Sequence, residues 1–144
     1  MGSLDHAKTE LLNFSSGNWR ISSPYLNYTE IYSFAAFFYH YNFYVVGGRT
    51  KSEILSVVTT FNPVTEMWTQ IGNLKSPRYN HKVEVINDKF YIIGGSETLE
   101  YCDLLNDFGC SVLTARFKEN DYPTFYGFYP SKCELGNLQL LKSL

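Results

Sequence analysis

One six-residue segment occurs twice in this chain, and this repeat constrains the fold more than any other feature. FYVVGG, ending in Gly47-Gly48, matches FYIIGG, ending in Gly94-Gly95, at every position by identity or branched-aliphatic exchange. The second copy lies 47 residues after the first. Aromatic and β-branched residues favour strands, and glycine suits a tight turn or a close backbone approach. Each copy is therefore predicted to be a buried strand that ends at two glycines.

A hairpin pattern accompanies the repeat and occurs three times. Two strand-like runs flank a turn of Asn, Pro, Thr and Glu, and Phe61 precedes Trp68 by seven residues. Upstream, an apolar residue again precedes a Trp by seven residues; downstream, two cysteines lie eight residues apart. Each turn opens with Asn or Asp, whose side chain can bond the backbone two residues later. The aligned pairs are Leu12 with Trp19, Phe61 with Trp68, and Cys102 with Cys110.

Together, these patterns predict units of four short antiparallel strands with a period near 47 residues. Such units are typical of β-propeller blades, which are small sheets that pack both faces against neighbouring sheets. The content of 17% aromatic residues, including 12 Tyr and 11 Phe, also favours an all-β fold. Apolar runs such as 44–46 are expected to be the innermost strands of their blades. The predicted fold is all-β, with four-stranded antiparallel blades in an incomplete ring.

The segment Pro77-Arg78-Tyr79-Asn80-His81, followed by an aliphatic strand and Gly94-Gly95, resembles the kelch repeat. That pattern runs from an Arg-x-x-His start to a double glycine. The resemblance extends over roughly residues 7 to 130, but Ile31 and Phe34 stand where the later repeat has Arg78 and His81. It implies structural roles for Gly47, Gly48, Trp68, Arg78, Gly94 and Gly95.

The resemblance also divides the chain into units. Residues 1–30 are predicted to be the closing hairpin of a blade, and 31–77 to be a kelch repeat. Residues 78–121 are predicted to be a kelch repeat with the cysteine pair, and 122–144 the start of a further blade or a degenerate tail. A closed propeller takes about four to eight blades. The chain is therefore expected to be a fragment, or else to close a ring with other copies of itself.

The three histidines do not form a catalytic constellation with other residues. His6 is expected in a tail, His40 in a turn, and His81 as a strand-edge side chain bonding a neighbouring blade. A copper site like that of galactose oxidase, which has a kelch-type propeller, needs two histidines and a Cys–Tyr motif that nothing here matches. We therefore expect no catalytic residue, no metal ligand, no cofactor and no enzyme activity.

Charge and hydropathy narrow the classes of partner. The formal net charge is -2, and the lysines and arginines are scattered, so the basic stripe needed for nucleic acid is missing. No apolar run approaches the ~20 residues that span a membrane. Residues 1–13 resemble no secretory leader, so the chain as written is expected in the cytoplasm.

The cysteines are compatible with either an oxidising compartment or the cytosol. Cys102 and Cys110 take the places of an aromatic cross-strand pair, and cross-strand Cβ atoms lie ~4.5–5.5 Å apart, which a twisted hairpin can adjust to a disulfide. The hypothesis is a disulfide staple in an oxidising compartment; the alternative is two small buried apolar residues in the cytosol. Cys133 is left over. Extracellular placement would require a signal peptide before the present N-terminus.

The resemblance implies protein recognition through rim loops, with a protein partner of unknown identity. The loop from Arg49 to Ile54 is longer and more charged than its counterpart at 96–99, which makes Arg49, Lys51 and Glu53 the predicted binding residues. Kelch domains often adjoin BTB or F-box modules and select substrates for a ubiquitin ligase. The alternative function is a disulfide-stapled secreted or cell-surface structural or binding module.

Overall fold

A computed structural model describes residues 8–26, 28, 30–105 and 108–116, with the side chains of 114–116 left out. Its regular elements in these ranges are ten β-strands. They are β1 Glu10–Leu12, β2 Trp19–Ile21, β3 Ala35–Tyr39, β4 Asn42–Val46, β5 Val57–Asn62, β6 Met67–Asn73, β7 Lys82–Ile86, β8 Lys89–Ile93, β9 Thr98–Asp103 and β10 Gly109–Arg116. The predicted all-β class is confirmed. His6, Cys133 and the unit 122–144 lie outside the described residues.

The strands form one hairpin and two four-stranded sheets. β1 pairs with β2; β3-β4-β5-β6 form a sheet that we call blade 1; and β7-β8-β9-β10 form a second sheet, blade 2. Every strand pairs antiparallel with its neighbour in the chain. The two copies of the repeated segment become β4 and β8, which hold the same place in their sheets. The described strands form no closed ring, which agrees with the predicted incomplete propeller.

The repeated apolar strands are interior strands, so the prediction that they are innermost was wrong. β4 lies between β3 and β5, and β8 lies between β7 and β9. An innermost strand of a radial blade is an edge strand, with a hydrogen-bonded neighbour on one side only. Burial of both faces was predicted correctly, since four of the five residues of β8 are buried. A run of apolar residues indicates that both faces of a strand are buried. It does not indicate whether the strand lies at the edge of its sheet or between two other strands.

The three aligned hairpins share one register. Leu12 lies opposite Trp19 in the first, Phe61 opposite Trp68 in the second, and Cys102 opposite Cys110 in the third. A disulfide joins the last pair, with the two Cα atoms 4.1 Å apart. It replaces an aromatic contact, because the Phe61 and Trp68 ring centroids are 5.0 Å apart at the corresponding place.

Side-chain caps fix the turns of these hairpins, as the sequence predicted. The Asn13 side-chain oxygen accepts hydrogen bonds from the backbone N–H groups of the residues two and three positions later, at 2.9 and 3.1 Å. Asn62 does the same at 2.8 and 3.1 Å. An Asp103 carboxylate oxygen accepts from the Leu105 N–H at 2.9 Å. Because such a cap joins residues close in the chain, it favours the turn whatever the distant contacts.

The main core lies between the two blades. The Phe37 ring stacks on Tyr44 of its own sheet at a centroid distance of 4.8 Å and meets Phe90 of blade 2 at 5.3 Å. The fully buried members of the cluster come from both sheets and include one disulfide sulfur: Val46, Val58, Phe90, Ile92 and Cys102. Removal of this apolar surface from water is the dominant force that holds the blades together.

The hairpin β1–β2 and the segment after it pack on the opposite side of blade 1. The Tyr25 hydroxyl shares a buried hydrogen bond of 2.9 Å with Thr59, and its ring meets Trp68 edge-on at 4.6 Å. Trp68 Nε1 donates to the Thr9 hydroxyl at 2.7 Å. Trp68, one of the predicted structural residues, thus lies half-buried between β6 and the first hairpin.

Candidate protein-interaction site

The glycine pair after β4 lies where blade 1 meets the start of blade 2. Gly47 and Gly48 have φ angles of 56° and 99°, a region that other residues avoid. A Cβ on Gly47 would lie 2.7 Å from the Arg78 carbonyl oxygen and 2.9 Å from His81 Cε1. The Gly48 N–H donates to the same Arg78 carbonyl at 2.9 Å. A side chain at Gly47 would therefore hold the blades apart, whereas a Cβ at Gly48 would lie 2.9 Å from Phe34 Cβ, in the segment that leads into blade 1.

The second glycine pair is less uniformly enclosed. Gly95 has a φ of 68°, and a Cβ there would overlap the Tyr79 carbonyl group. Gly94 has a φ of 85°, but the nearest atoms to its added Cβ are 3.9 Å away. At Gly94 the backbone conformation is the main requirement, whereas at Gly95 the surrounding space matters as well.

Arg78 forms a buried ion pair beneath the glycines. Its Nη2 lies 2.5 Å from Glu100 Oε1, and both side chains are 0% exposed. The guanidinium also donates to the Gly94 carbonyl at 3.0 Å, and to the Thr98 carbonyl and hydroxyl at 2.8 and 3.1 Å. These bonds join the start of blade 2 to the loop between β8 and β9.

The segment that connects the two blades donates further hydrogen bonds to Glu100. Its carboxylate accepts hydrogen bonds from the backbone N–H groups of Lys75 and Ser76, at 2.7 and 2.9 Å. The Arg78 N–H donates to the Leu55 carbonyl at 3.1 Å. Buried charges are tolerated only when paired and hydrogen-bonded, and this pair meets that condition except at Arg78 Nε, which has no hydrogen-bond partner among the described residues.

His81 was predicted to bond the neighbouring blade, but it only packs against blade 1. The imidazole is buried, and neither ring nitrogen has a hydrogen-bond partner among the described residues, although the ring faces the Val46 backbone. Burial, followed by the nearby positive charge of Arg78, lowers the pKa of His81 to about 4. The side chain is therefore neutral at pH 7 and serves as packing at the blade junction.

The loop 49–54, which connects β4 to β5, forms an ordered turn. The backbone of Arg49 exchanges two hydrogen bonds with Tyr32, at 2.9 and 3.0 Å, and Arg49 also forms an isolated β-bridge with Ile54. At the tip, the Thr50 N–H donates to the Glu53 carbonyl at 2.9 Å. The Thr50 hydroxyl accepts from the N–H groups of the residues two and three positions later, at 3.2 and 3.1 Å.

The three predicted binding residues have different electrostatic surroundings. The Arg49 guanidinium carbon lies 5.6 Å from the ring centroid of Tyr32 and 5.3 Å from that of Tyr79, within the range of cation–π contact. Lys51 forms an exposed ion pair with Glu30 at 2.8 Å, and the hydrogen bond to this carboxylate raises the pKa of Lys51. Glu53 is exposed.

A depression of about 630 Å³ lies along this loop. Its lining is the loop itself together with one residue of the interblade connection: Arg49, Thr50, Lys51, Ser52, Glu53, Ile54 and Pro77. The structure therefore brings all three predicted binding residues to one surface. Pro77 directly precedes the buried Arg78, so the floor of the depression is tied to the blade junction.

Sequence reasoning missed three residues that contribute to this region. Glu100, the partner of Arg78, was detectable as a carboxylate between Leu99 and Tyr101 in a strand. The two tyrosines beside Arg49 gave no such signal, because Tyr32 begins blade 1 and Tyr79 begins blade 2. They come together only when the blades stack.

The described residues contain neither a cluster of metal ligands nor a membrane-spanning helix. No three His, Cys, Asp or Glu side chains there lie close enough together to hold a metal ion. Nor does this part of the chain contain a helix of the length and apolar character that crossing a membrane requires.

Comparison with known proteins finds partial matches, although no family model matches the chain. An F-box/kelch-repeat protein of Arabidopsis thaliana is 35% identical over 52 residues, which is 36% of this chain. Kelch-like protein 42 of Mus musculus is 36% identical over 55 residues, or 38% of the chain. Kelch repeat and BTB domain-containing protein 1 of Ectromelia virus is 33% identical over 61 residues, or 40% of the chain.

Each of these matches spans only 11% of the relative's own length. Their names nevertheless agree with the repeated Gly-Gly strands and with the two antiparallel four-stranded sheets. In its sequence and in the fold of its two blades, this part of the chain is similar to kelch-repeat proteins.

Proposed function

We propose that the chain is part of a non-enzymatic protein-interaction scaffold of the kelch type, which binds a protein partner through the loop 49–54. The observation that carries this proposal is the charged, ordered loop beside a depression, mounted on a blade junction that is fixed by buried bonds. A loop held this way can present side chains to a partner while the sheets keep their positions.

The rigid base supports a recognition role more than a purely structural one. Arg49 and Lys51 are exposed, yet each is held in place, one by tyrosine rings and the other by Glu30. A side chain that is already ordered loses less conformational entropy on binding. Packing of the blade core does not require the exposed side chains of Arg49 and Lys51 to be held in this way.

We further propose that the scaffold serves as the substrate-recognition part of a ubiquitin-ligase adaptor in the cytoplasm. The support comes from two relatives whose names include an F-box and a BTB domain. In this role the kelch blades hold the substrate, and a separate module of the whole protein contacts the ligase.

The disulfide favours a second candidate, a secreted or cell-surface binding module. Disulfides persist mainly in oxidising compartments, and Cys102 is bonded to Cys110 in the structure. In that setting the same loop binds an extracellular protein, and the bond staples blade 2.

Affinity capture from the native source tests the shared claim, which is that this loop binds a protein. The test variant is Arg49→Gln with Glu53→Gln, and the control is Lys89→Gln with Glu84→Gln in blade 2; each removes one positive and one negative charge. We expect a partner that is retained by the wild type and the control and is lost from the loop variant. A partner that binds the loop variant as tightly as it binds the wild type would overturn the proposal. Ubiquitylation of the captured partner distinguishes the adaptor from the extracellular module.

A further inference from the structure

We propose that the loop 49–54 recognises a peptide segment in which a carboxylate side chain stands next to an apolar side chain. This inference rests on the proposed function and specifies the chemistry of its ligand. It depends on three features of the depression: an unpaired arginine, an exposed isoleucine, and a single neighbouring glutamate.

Arg49 is the cation available to a ligand. Lys51 already has Glu30 as its partner at 2.8 Å, whereas the Arg49 guanidinium has no carboxylate and no hydrogen-bond acceptor among the residues the structure describes. Its contacts are the rings of Tyr32 and Tyr79, which leave the N–H groups free. A guanidinium presents these donors in a planar fork that matches a carboxylate with two parallel hydrogen bonds.

The position of Arg49 is set before a ligand arrives. Its backbone is bonded twice to Tyr32 and bridged to Ile54, and its side chain lies against rings from both blades. Arginine has a large rotamer entropy, so ordering it in advance lowers the cost of binding. The blade junction itself therefore contributes to affinity at this point.

The apolar requirement comes from the same depression. Ile54 is 48% exposed and lines it together with the ring of Pro77. The depression is open to solvent, and its volume of about 630 Å³ is large enough for two adjacent side chains. A carboxylate on Arg49 thus brings a neighbouring apolar side chain towards Ile54.

Glu53 limits the acidity of the ligand. It lines the same depression and carries a negative charge that repels a second carboxylate. The preferred segment therefore has one acidic residue, and Glu53→Gln should increase the affinity for segments with two.

The test uses acetylated, amidated hexapeptides with a Gly-Ser background and a central pair, measured by fluorescence anisotropy with the full chain. The central pairs are Asp-Leu, Asp-Ser, Ser-Leu and Lys-Leu. We expect Asp-Leu to bind tightest and to weaken as salt is raised. Arg49→Gln should reduce its affinity at least tenfold, because charge-assisted hydrogen bonds are lost. Lys89→Gln is the matched control, since Lys89 also lies over a tyrosine ring, 5.1 Å from Tyr101, and should change the affinity less than twofold.

Two further variants keep the result independent of folding. Arg49→Lys retains the charge without the fork and should give an intermediate loss, whereas Ile54→Ser should remove the preference for Asp-Leu over Asp-Ser. Unfolding midpoints for all variants confirm that they remain folded.

Lack of preference for Asp-Leu at millimolar peptide, or a preference that survives Arg49→Gln and Arg49→Lys, would overturn the inference. The proposed function would then still stand if the captured native partner is lost from the loop variant. The proposed function is overturned together with the inference if that partner binds the loop variant and the wild type equally tightly.

Discussion

At the residue scale, the glycine pair of blade 1 is a requirement of the interface as well as of the turn. Gly47 combines a φ of 56° with backbone and imidazole atoms within 3 Å of the place that a Cβ would occupy. Gly17 has a φ of 68° but no atom within 4 Å of that place. A side chain at Gly17 would therefore carry only the conformational cost of a positive φ, whereas a side chain at Gly47 would carry a steric cost as well.

Gly47→Ala is expected to destabilise the chain by roughly 3 kcal/mol, and Gly17→Ala by only about 1 kcal/mol, the cost of a left-handed alanine. Urea unfolding followed by tyrosine and tryptophan fluorescence measures both. Equal costs for the two variants would show that the contact between Gly47 and the start of blade 2 is absent.

The Arg78–Glu100 pair predicts a large coupling energy. Arg78→Met or Glu100→Leu alone leaves one buried charge without a partner and should cost about 3–5 kcal/mol. The double variant should cost much less than the sum of the two, because no unpaired charge remains. A double-mutant cycle of unfolding free energies measures the coupling, and simple additivity would contradict the buried pair.

His81 predicts a dependence of stability on pH. Its pKa is about 4 in the folded chain and near 6.5 when the chain is unfolded, so the unfolded state binds more protons between these values. The contribution of neutral His81 is complete above pH 6.5 and is lost as pH falls towards 4, by up to about 3 kcal/mol.

The measurement is the unfolding free energy between pH 4.5 and 7.5 for the wild type, for His81→Phe, and for His40→Gln as an exposed control. The dependence of the unfolding free energy on pH should be weaker in His81→Phe than in the wild type and unchanged in His40→Gln. A slope that is equal in all three proteins would place the titrating group elsewhere.

At the element scale, the hairpin β9–β10 differs from its counterparts by a covalent bond. Closing a loop of about this size by a disulfide stabilises a fold by about 2–3 kcal/mol, mainly by restricting the unfolded chain. Reduction should therefore lower the unfolding free energy by that amount. Cys102→Ala with Cys110→Ala should show the same loss and no sensitivity to reductant.

The bond is checked by mass analysis of alkylated, non-reduced protein from its native source, mapped to the peptides of Cys102 and Cys110. Linked thiols support the extracellular module. Free thiols at both positions would contradict the bond and favour the cytoplasmic adaptor.

The strands and hairpin registers could be predicted because they are encoded locally. Asn13, Asn62 and Asp103 cap their own turns, and the repeat aligns each cross-strand pair with the next. The order of strands within a blade was harder, since burial of both faces is shared by edge and interior strands. That is why β4 was wrongly expected to be innermost.

The candidate site was predictable only in part. Loop length and charge pointed to Arg49, Lys51 and Glu53, and the structure brings these three residues to one depression. Their different environments depend on residues distant in sequence or in the other blade, such as Glu30 and Tyr79. Without an arrangement of the blades, sequence alone could not show which charge is already paired.

At the scale of the whole molecule, the first hairpin covers only part of the outer face of blade 1, the face opposite blade 2. Phe90 in blade 2 is 0% exposed because Phe37 of blade 1 packs on it. Phe43 holds the same place in blade 1 and is 46% exposed, beside Phe38 at 55%. Such a paired aromatic surface is typical of an interface. An incomplete ring leaves sheet faces exposed in this way, because the neighbouring blade that would cover them is missing.

Site-specific photocrosslinking in the native host is the most direct test of the account as a whole. A photoreactive amino acid replaces Ser52 in the loop and, as a control, exposed Thr69 on β6, within the full-length protein. The account predicts a covalent adduct with a partner protein from position 52, and none with that partner from position 69. Adducts with the partner from position 69 but not from position 52 would contradict binding through this loop.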